Sequence, residues 1–225
     1  MNLLLLLDMA AAGRGDEVAV QSGDDRLTTG ELLAAAWTGA EVAAGASALA
    51  YVGTNGLAFP IGLFAAAAAG IPFVPLNYRL SDDQLHDLLV PLDDTLVVTE
   101  DEDVATALAA RGHRVLDAAS FVATARAGAS AGDVPADGEG PAVLLYTSGT
   151  TSAPKAAVLR HRHLTSYVIG TVEFAAADPD SAVLVSVPPY HVAGLANLLS
   201  NLYLGRRIVY LRQFDAPGWV GAVRQ

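Results

Sequence analysis

LLYTSGTTSAPKAAVLRH, from Leu144 to His161, departs from the composition of the chain around it. An apolar run stops at Tyr146. Thr147 to Pro154 are all Ser, Thr, Gly, Ala or Pro, and Lys155 follows before the chain turns apolar again. Read as strand, loop and strand, the stretch sets a small-residue loop directly after a buried strand. Backbone N–H groups gather there at the carboxyl edge of an open α/β sheet, where ligands bind. Small side chains let the backbone approach a ligand. Successive N–H groups, with the hydroxyls of Ser148, Thr150, Thr151 and Ser152, form a cradle of donors for anions. Lys155 adds a mobile positive charge suited to a polyphosphate. A solvated Gly/Ser-rich connection between two strands has the same composition, so composition alone leaves both readings open. The loop is not a P-loop of the G-x-x-x-x-G-K-[ST] type, because no second glycine separates Gly149 from Lys155 and Ala156 follows the lysine.

Working outward, strands alternate with helices. Thr28 and Glu31 have capping-box spacing before LLAAAWTGAEVAA, and residues 48–53 (ALAYVG) read as a strand closed by the Asn55-Gly56 turn signal. A helix over Leu57–Ala69 ends at Gly70, FVPL (73–76) is a strand, and Ser81 caps DDQLHDLL. TLVVTE (95–100) and HRVLD are strands on either side of the helix DVATALAARG. Ala127 to Gly140 falls to Gly, Ala, Ser, Asp and Pro, as a surface linker does. Beyond the hydroxyl loop come AAVLR, a helix near His163–Phe174, the strand AVLVSVP, a helix from Val192 to Leu204 and the strand RIVYL. This alternation predicts an α/β fold with a largely parallel sheet and helices on both faces.

With 225 residues there is enough chain for a sizeable core, and the formal charge of −11 argues against a nucleic-acid or anionic-membrane surface. The absence of Cys excludes disulfides, thiolate metal sites and a thiol nucleophile. The leucine run Leu3–Leu7 has no basic residue before it and is ended by Asp8, so it reads as an amphipathic first helix rather than a signal peptide. Leu57 to Gly70 is too short to span a bilayer. A cytoplasmic protein without a transmembrane segment is expected.

YTSGTTSAPKAAVLRH resembles the phosphate-binding signature of the adenylate-forming superfamily, YTSGTTG-x-PKG followed by a strand and a His. RLTTGELLAAA is similar to the family's L-T-Y-x-E-L segment, and AAAAAGIPFVPLNYRLSDDQLHDLL to its A-G-A-x-x-V-P-L-N-P-R-L-x-x-x-E-L stretch. PPYHVAGLANLL is similar to P-L-F-H-x-x-G-L. These motifs run in the family's order from Arg26 to Leu211, with two departures: Ser152 and Ala156 stand where the signature has glycine. Amino-acid-activating members carry an Asp past the histidine, but PYHVAGL has no acid, and Pro75–Asn77 reads PLN. The resemblance is therefore to the acyl-CoA synthetase, fatty-acid–CoA ligase branch.

That resemblance implies the amino-terminal portion of the large domain of an adenylate-forming enzyme. A carboxylic acid would react with ATP to give acyl-AMP, and transfer to CoA would follow. It implies Thr147, Ser148, Gly149, Thr150, Thr151, Ser152 and Lys155 as the phosphate cradle, Thr151 also as a ligand of Mg2+, and Lys155 and His191 as catalytic residues, His191 on the acyl and thiol side. Alternatives from other classes are a degenerate, non-catalytic relative serving in interaction, or a ligase delivering to a carrier protein. DAPGWVGAVRQ begins a helix at the N-cap Asp215 that nothing terminates before Gln225. The chain thus reads as an incomplete adenylation domain, without the family's later motifs or small lid domain, inactive alone and prone to self-association through an apolar flank. The remaining histidines carry no such support: His86 reads as a helix residue among acids, His113 as following a helix-ending glycine, and His161 and His163 as part of a solvated turn.

Overall fold

Local signals start most of the helices. α1 (Leu4–Arg14) leads into a hairpin of β1 (Val18–Ser22) and β2 (Asp25–Thr28). Thr28 then caps α2 (Thr29–Val42) in a reciprocal box with Glu31, as its spacing predicts. β3 (Ala48–Val52), α3 (Ala58–Ala69) and β4 (Phe73–Leu76) follow, α3 stopping at Gly70 in the left-handed conformation (φ 71°). Ser81 and Gln84 form a second capping box on α4 (Asp82–Leu89). Next come β5 (Thr95–Thr99), α5 (Glu102–Ala110), β6 (Arg114–Asp117) and α6 (Ala118–Ala127), capped by the Asp117 carboxylate. Residues 128–140 form no helix or strand. β7 (Pro141–Thr147), β8 (Lys155–Arg160), α7 (His161–Thr171), β9 (Ala182–Val185), α8 (Val192–Leu204), β10 (Arg207–Tyr210) and α9 (Ala216–Val223) complete the order. This computed structural model describes residues 1–147, 155–178 and 180–223.

The strands form two sheets where the alternation predicts one. A six-stranded sheet has the order β6-β5-β3-β4-β7-β8 and a four-stranded sheet the order β2-β1-β10-β9. Every pairing is parallel except β1 with β2 and β7 with β8, the two hairpins. β1, β2 and α6 have no counterpart in the sequence reading. β1 and β2 are short and carry weak alternation, and they gain their place by pairing β1 with β10, far along the chain.

Alternation along β3 and β4 sorts the core. Leu49, Tyr51 and Phe73 face a large cluster with α1, α2, α3, α6, α8 and the inner face of the four-stranded sheet. Ala48, Ala50, Val52, Val74 and Leu76 face a second cluster under α4 and α5. α3 is apolar on nearly all sides because it lies inside, and Phe59, Ile61, Leu63 and Phe64 are fully buried. The two sheets meet at their carboxyl edges. There Phe59 touches both Tyr51 and Tyr210, with ring centroids 6.4 and 6.3 Å away. Asn55 donates its N–H to Arg212 O (3.3 Å) and its side-chain amide to Leu211 O (3.1 Å). Glu100 accepts from Thr54 N and pairs with Arg212 at 2.6 Å. This seam aligns the loops that leave both sheets on one side of the molecule.

His161 corrects the sequence reading. It lies in no solvated turn: only 3% of it is exposed, and its Nδ1 accepts a hydrogen bond from Leu3 N. His163, one turn start away, does cap locally, its Nδ1 accepting from Arg160 N at 3.2 Å.

Candidate active site

The hydroxyl loop sits at the tip of the β7–β8 hairpin. Thr147 pairs with Lys155 as the last register pair, so the seven intervening positions begin and end at one point of the sheet. β7 runs parallel to β4, and the two strands therefore present their carboxyl ends at the same edge. Ser148, Gly149, Thr150, Thr151 and Ser152, and with them the expected Mg2+ ligand, lie outside the described residues. Lys155 is exposed, and it is the chain's single lysine against twelve arginines. A lone ammonium at a strand start fits a phosphate-bearing ligand as a point charge. Behind it, Tyr146 donates its hydroxyl to Leu88 O at 3.0 Å, and burial pushes its phenol pKa up.

His191 enters from the other sheet. It follows β9 and forms the N-cap of α8, with its N–H on Pro188 O at 3.1 Å and its C=O taken by Gly194 N at 2.9 Å. Gly194 is required in this turn, because a Cβ there would lie 2.9 Å from Pro188 O. The His191 side chain is exposed and makes no capping bond, so it is not a core histidine. Its ring lies 4.5 Å from that of Tyr190, and Tyr190 meets Tyr78 edge-on at 5.7 Å. Tyr78 stands just beyond β4, where Asn77 Oδ1 accepts from Arg79 N at 3.0 Å and turns the chain. The Arg79 guanidinium lies over the Tyr78 ring, 5.4 Å from its centroid. Tertiary structure thus joins His191 to the exit of β4, the strand beside β7. Tyr78, Arg79 and Tyr190 escape the sequence reading even though PLNYRL and PPYH are both quoted there, since nothing in one dimension couples residues 78 and 190.

Among the described residues, no group of three or more His, Asp or Glu side chains is arranged to hold a metal. No helix among them is long and apolar enough to cross a membrane.

A family model described as AMP-binding enzyme matches residues 7–225. The chain is 32% identical over 214 residues to a feruloyl-CoA synthase of an Amycolatopsis species, covering 92% of the chain and 43% of that protein. It is 31% identical over 193 residues to an indoleacetate–CoA ligase of Aromatoleum aromaticum, covering 80% and 38% respectively. The fold superposes on ATP-bound MatB from Rhodopseudomonas palustris with a TM-score of 0.82 and 25% identity, over 100% of the chain and 48% of MatB. The chain therefore spans less than half the length of these proteins. Its mixed α/β architecture matches the amino-terminal domain of adenylate-forming enzymes. With the hydroxyl loop returning to the chain's single lysine at the carboxyl edge, and the match extending over nearly every residue, the chain belongs to the AMP-binding enzyme family.

Proposed function

We propose that the complete enzyme containing this chain activates a carboxylic acid with ATP and passes the acyl group to CoA. The carboxylate oxygen attacks the α-phosphate, the bond to pyrophosphate breaks, and acyl-AMP forms. The CoA thiol then attacks the acyl carbon, loses its proton and releases AMP. The observation that carries this reading is the register pair Thr147–Lys155, which closes a loop of hydroxyl-bearing residues on the only lysine of the chain. Charge builds on the phosphates as the pyrophosphate leaves, and preorganised donors aimed there lower the barrier. In this reading Thr147, Ser148, Gly149, Thr150, Thr151, Ser152 and Lys155 cradle the β,γ-phosphates. Thr151 would hold Mg2+, which would supply screening of the phosphate charge.

His191 is assigned to the acyl and thiol side, and its exposed ring beside Tyr190, itself packed on Tyr78, supports a role in holding the acyl group. A fatty acid is the substrate implied by the sequence resemblance. The aromatic residues around His191 and the aromatic acids in the names of two relatives favour an aryl acid. The chain alone is an amino-terminal adenylation unit in this proposal, working in the cytoplasm. Exposed Phe214, Trp219, Val220 and Val223 form an apolar flank through which it self-associates.

ATP–pyrophosphate exchange with a panel of fatty and aromatic acids tests the reading on the full-length enzyme and on this chain. Acid-dependent exchange by the full-length enzyme supports it, and the preferred acid separates the two substrate classes. Exchange by the 225-residue chain at about 1 per second, an ordinary enzyme rate, would refute the incomplete-unit part of the proposal.

A further inference from the structure

His86 of α4 and His113, one residue before β6, come together in the fold. His86 Nδ1 and His113 Nε2 lie 2.8 Å apart, with ring centroids separated by 5.0 Å and planes crossing at 71°. Local structure explains the meeting. α5 ends at a left-handed Gly112 (φ 87°), and His113 N donates back to Leu108 O at 3.1 Å, which turns its ring toward α4. Arg111 reaches across to Asp83 and ties the same two segments. The pair lies near the start of β6, at the amino edge of the parallel strands, whereas the hydroxyl loop lies at the carboxyl edge. It is no part of the site described above. His113 also lines a cleft of about 320 Å³ with Gly45, Asp94, Thr95, Gly112 and Arg114, and through it solvent reaches the ring.

We propose that His86 and His113 form a two-histidine site for a borderline divalent transition ion such as Zn2+ or Cu2+. Two imidazole nitrogens bound to one ion at about 2.0–2.1 Å, in adjacent positions of a tetrahedral or octahedral shell, stand roughly 3 Å apart. The hydrogen bond already holds this pair at 2.8 Å. The hydrogen bond and the ion exclude each other: as the ion enters, the donor ring gives up the proton between the two nitrogens and takes one up from solvent at its other nitrogen, and both neutral rings become ligands. Imidazole suits zinc, copper and nickel, while Mg2+ and Ca2+ prefer oxygen. No third His, Asp or Glu among the described residues completes a three-ligand group, so water fills the remaining positions. The charges around the pair are of both signs. Asp82, Asp83 and Asp87 share α4 with His86, Arg111 pairs with Asp83, and Arg114 donates to Val42 O and Ala44 O, so it is the imidazole nitrogens rather than net charge that select the ion. A bound ion would cross-link α4 to the edge of the sheet and stabilise the fold in proportion to its occupancy.

Two measurements on this chain test the site without reference to its enzymatic activity. Zn2+ or Ni2+ in excess should raise the Tm of the wild type, Mg2+ should leave it unchanged, and His86→Ala and His113→Ala should each abolish the rise. In side-chain NMR spectra of the wild type, substoichiometric Cu2+ should broaden His86 and His113 and spare His161, His163 and His191. The NMR experiment needs no variant, so it decides even where an alanine variant folds poorly. Broadening centred on another histidine overturns the proposal, as does a Tm rise that survives in either folded variant, or the absence of broadening.

Discussion

The Leu3 amide donates to Nδ1 of His161 at 3.1 Å, across 158 residues of sequence. Leu3 itself supplies no cap to α1, and Leu4 N is met by Asn2 Oδ1 at 2.8 Å. The first N–H groups of a helix have no partner within it, so His161 is the far end of α1's cap. It also opens α7, with Thr165 Oγ1 bonded back to its carbonyl at 3.1 Å. One buried imidazole thereby docks the first helix onto the segment that leaves the hydroxyl hairpin.

His161→Ala should destabilise the chain by about 1–3 kcal/mol, the cost of a buried donor left unmet. Chemical denaturation with urea measures it. An unchanged midpoint would show that α1 is held by its leucines alone.

Stability should also fall on mild acidification. Burial holds the pKa of His161 below its ordinary value of 6.5, and burial together with His86 does the same for His113. A lowered folded pKa means that the unfolded chain takes up a proton more readily than the folded one. The stabilisation is therefore complete above about 6.5 and is lost as pH falls below that value toward the folded pKa. Urea midpoints at pH 7.5 and 5.5 should differ in the wild type and differ less in His161→Gln. An equal drop in both would remove His161 from the account.

Lys155→Ala in the full-length enzyme should slow adenylation about ten- to a hundred-fold, because a charge-assisted hydrogen bond is worth roughly 1.5–3 kcal/mol. As the only lysine, Lys155 can be read directly: amine-reactive labelling of the chain outside its amino terminus reports on this residue alone. Pyrophosphate or ATP should protect it. Labelling that proceeds equally fast with either ligand at saturation would count against the phosphate cradle.

His191→Ala should shift the KM for the acid, or the CoA half-reaction, more than the KM for ATP, because the ring neighbours Tyr190, which in turn packs on Tyr78. Its side chain is exposed, so the Tm should stay within about a degree of the wild type, as for surface substitutions in general. A large loss of Tm with unaltered kinetics would make His191 a structural residue.

Gly39→Ala tests the helix layer between the sheets. A Cβ at Gly39 would lie 2.8 Å from Ala65 Cβ and 3.3 Å from the Phe121 ring, where α2 crosses α3 and α6. Alanine favours the helical state over glycine by about 1 kcal/mol, but overpacking a fixed contact costs about 1–3 kcal/mol. Net destabilisation in urea is expected. A more stable variant would mean that the helices separate with little strain.

Local chemistry was legible in the sequence because it acts over a few residues. Thr28 with Glu31, Ser81 with Gln84, and Gly70 after an alanine run place their helix ends through bonds made within one turn. The run Thr147 to Lys155 marked a candidate ligand-binding loop by the same logic, since hydroxyls, a glycine and a lysine need no distant partner to suggest a cradle. Tertiary structure decided what depends on distant pairing. It split the strands into two sheets by setting β1 beside β10, and it folded β7 back on β8 as a hairpin. It drew Tyr78 to Tyr190, His86 to His113, and His161 beneath the first helix. A histidine carries no periodic signal, and its burial and partners depend on which helices the core brings together. The chemistry of each group is thus written along the chain, while its company is set by packing.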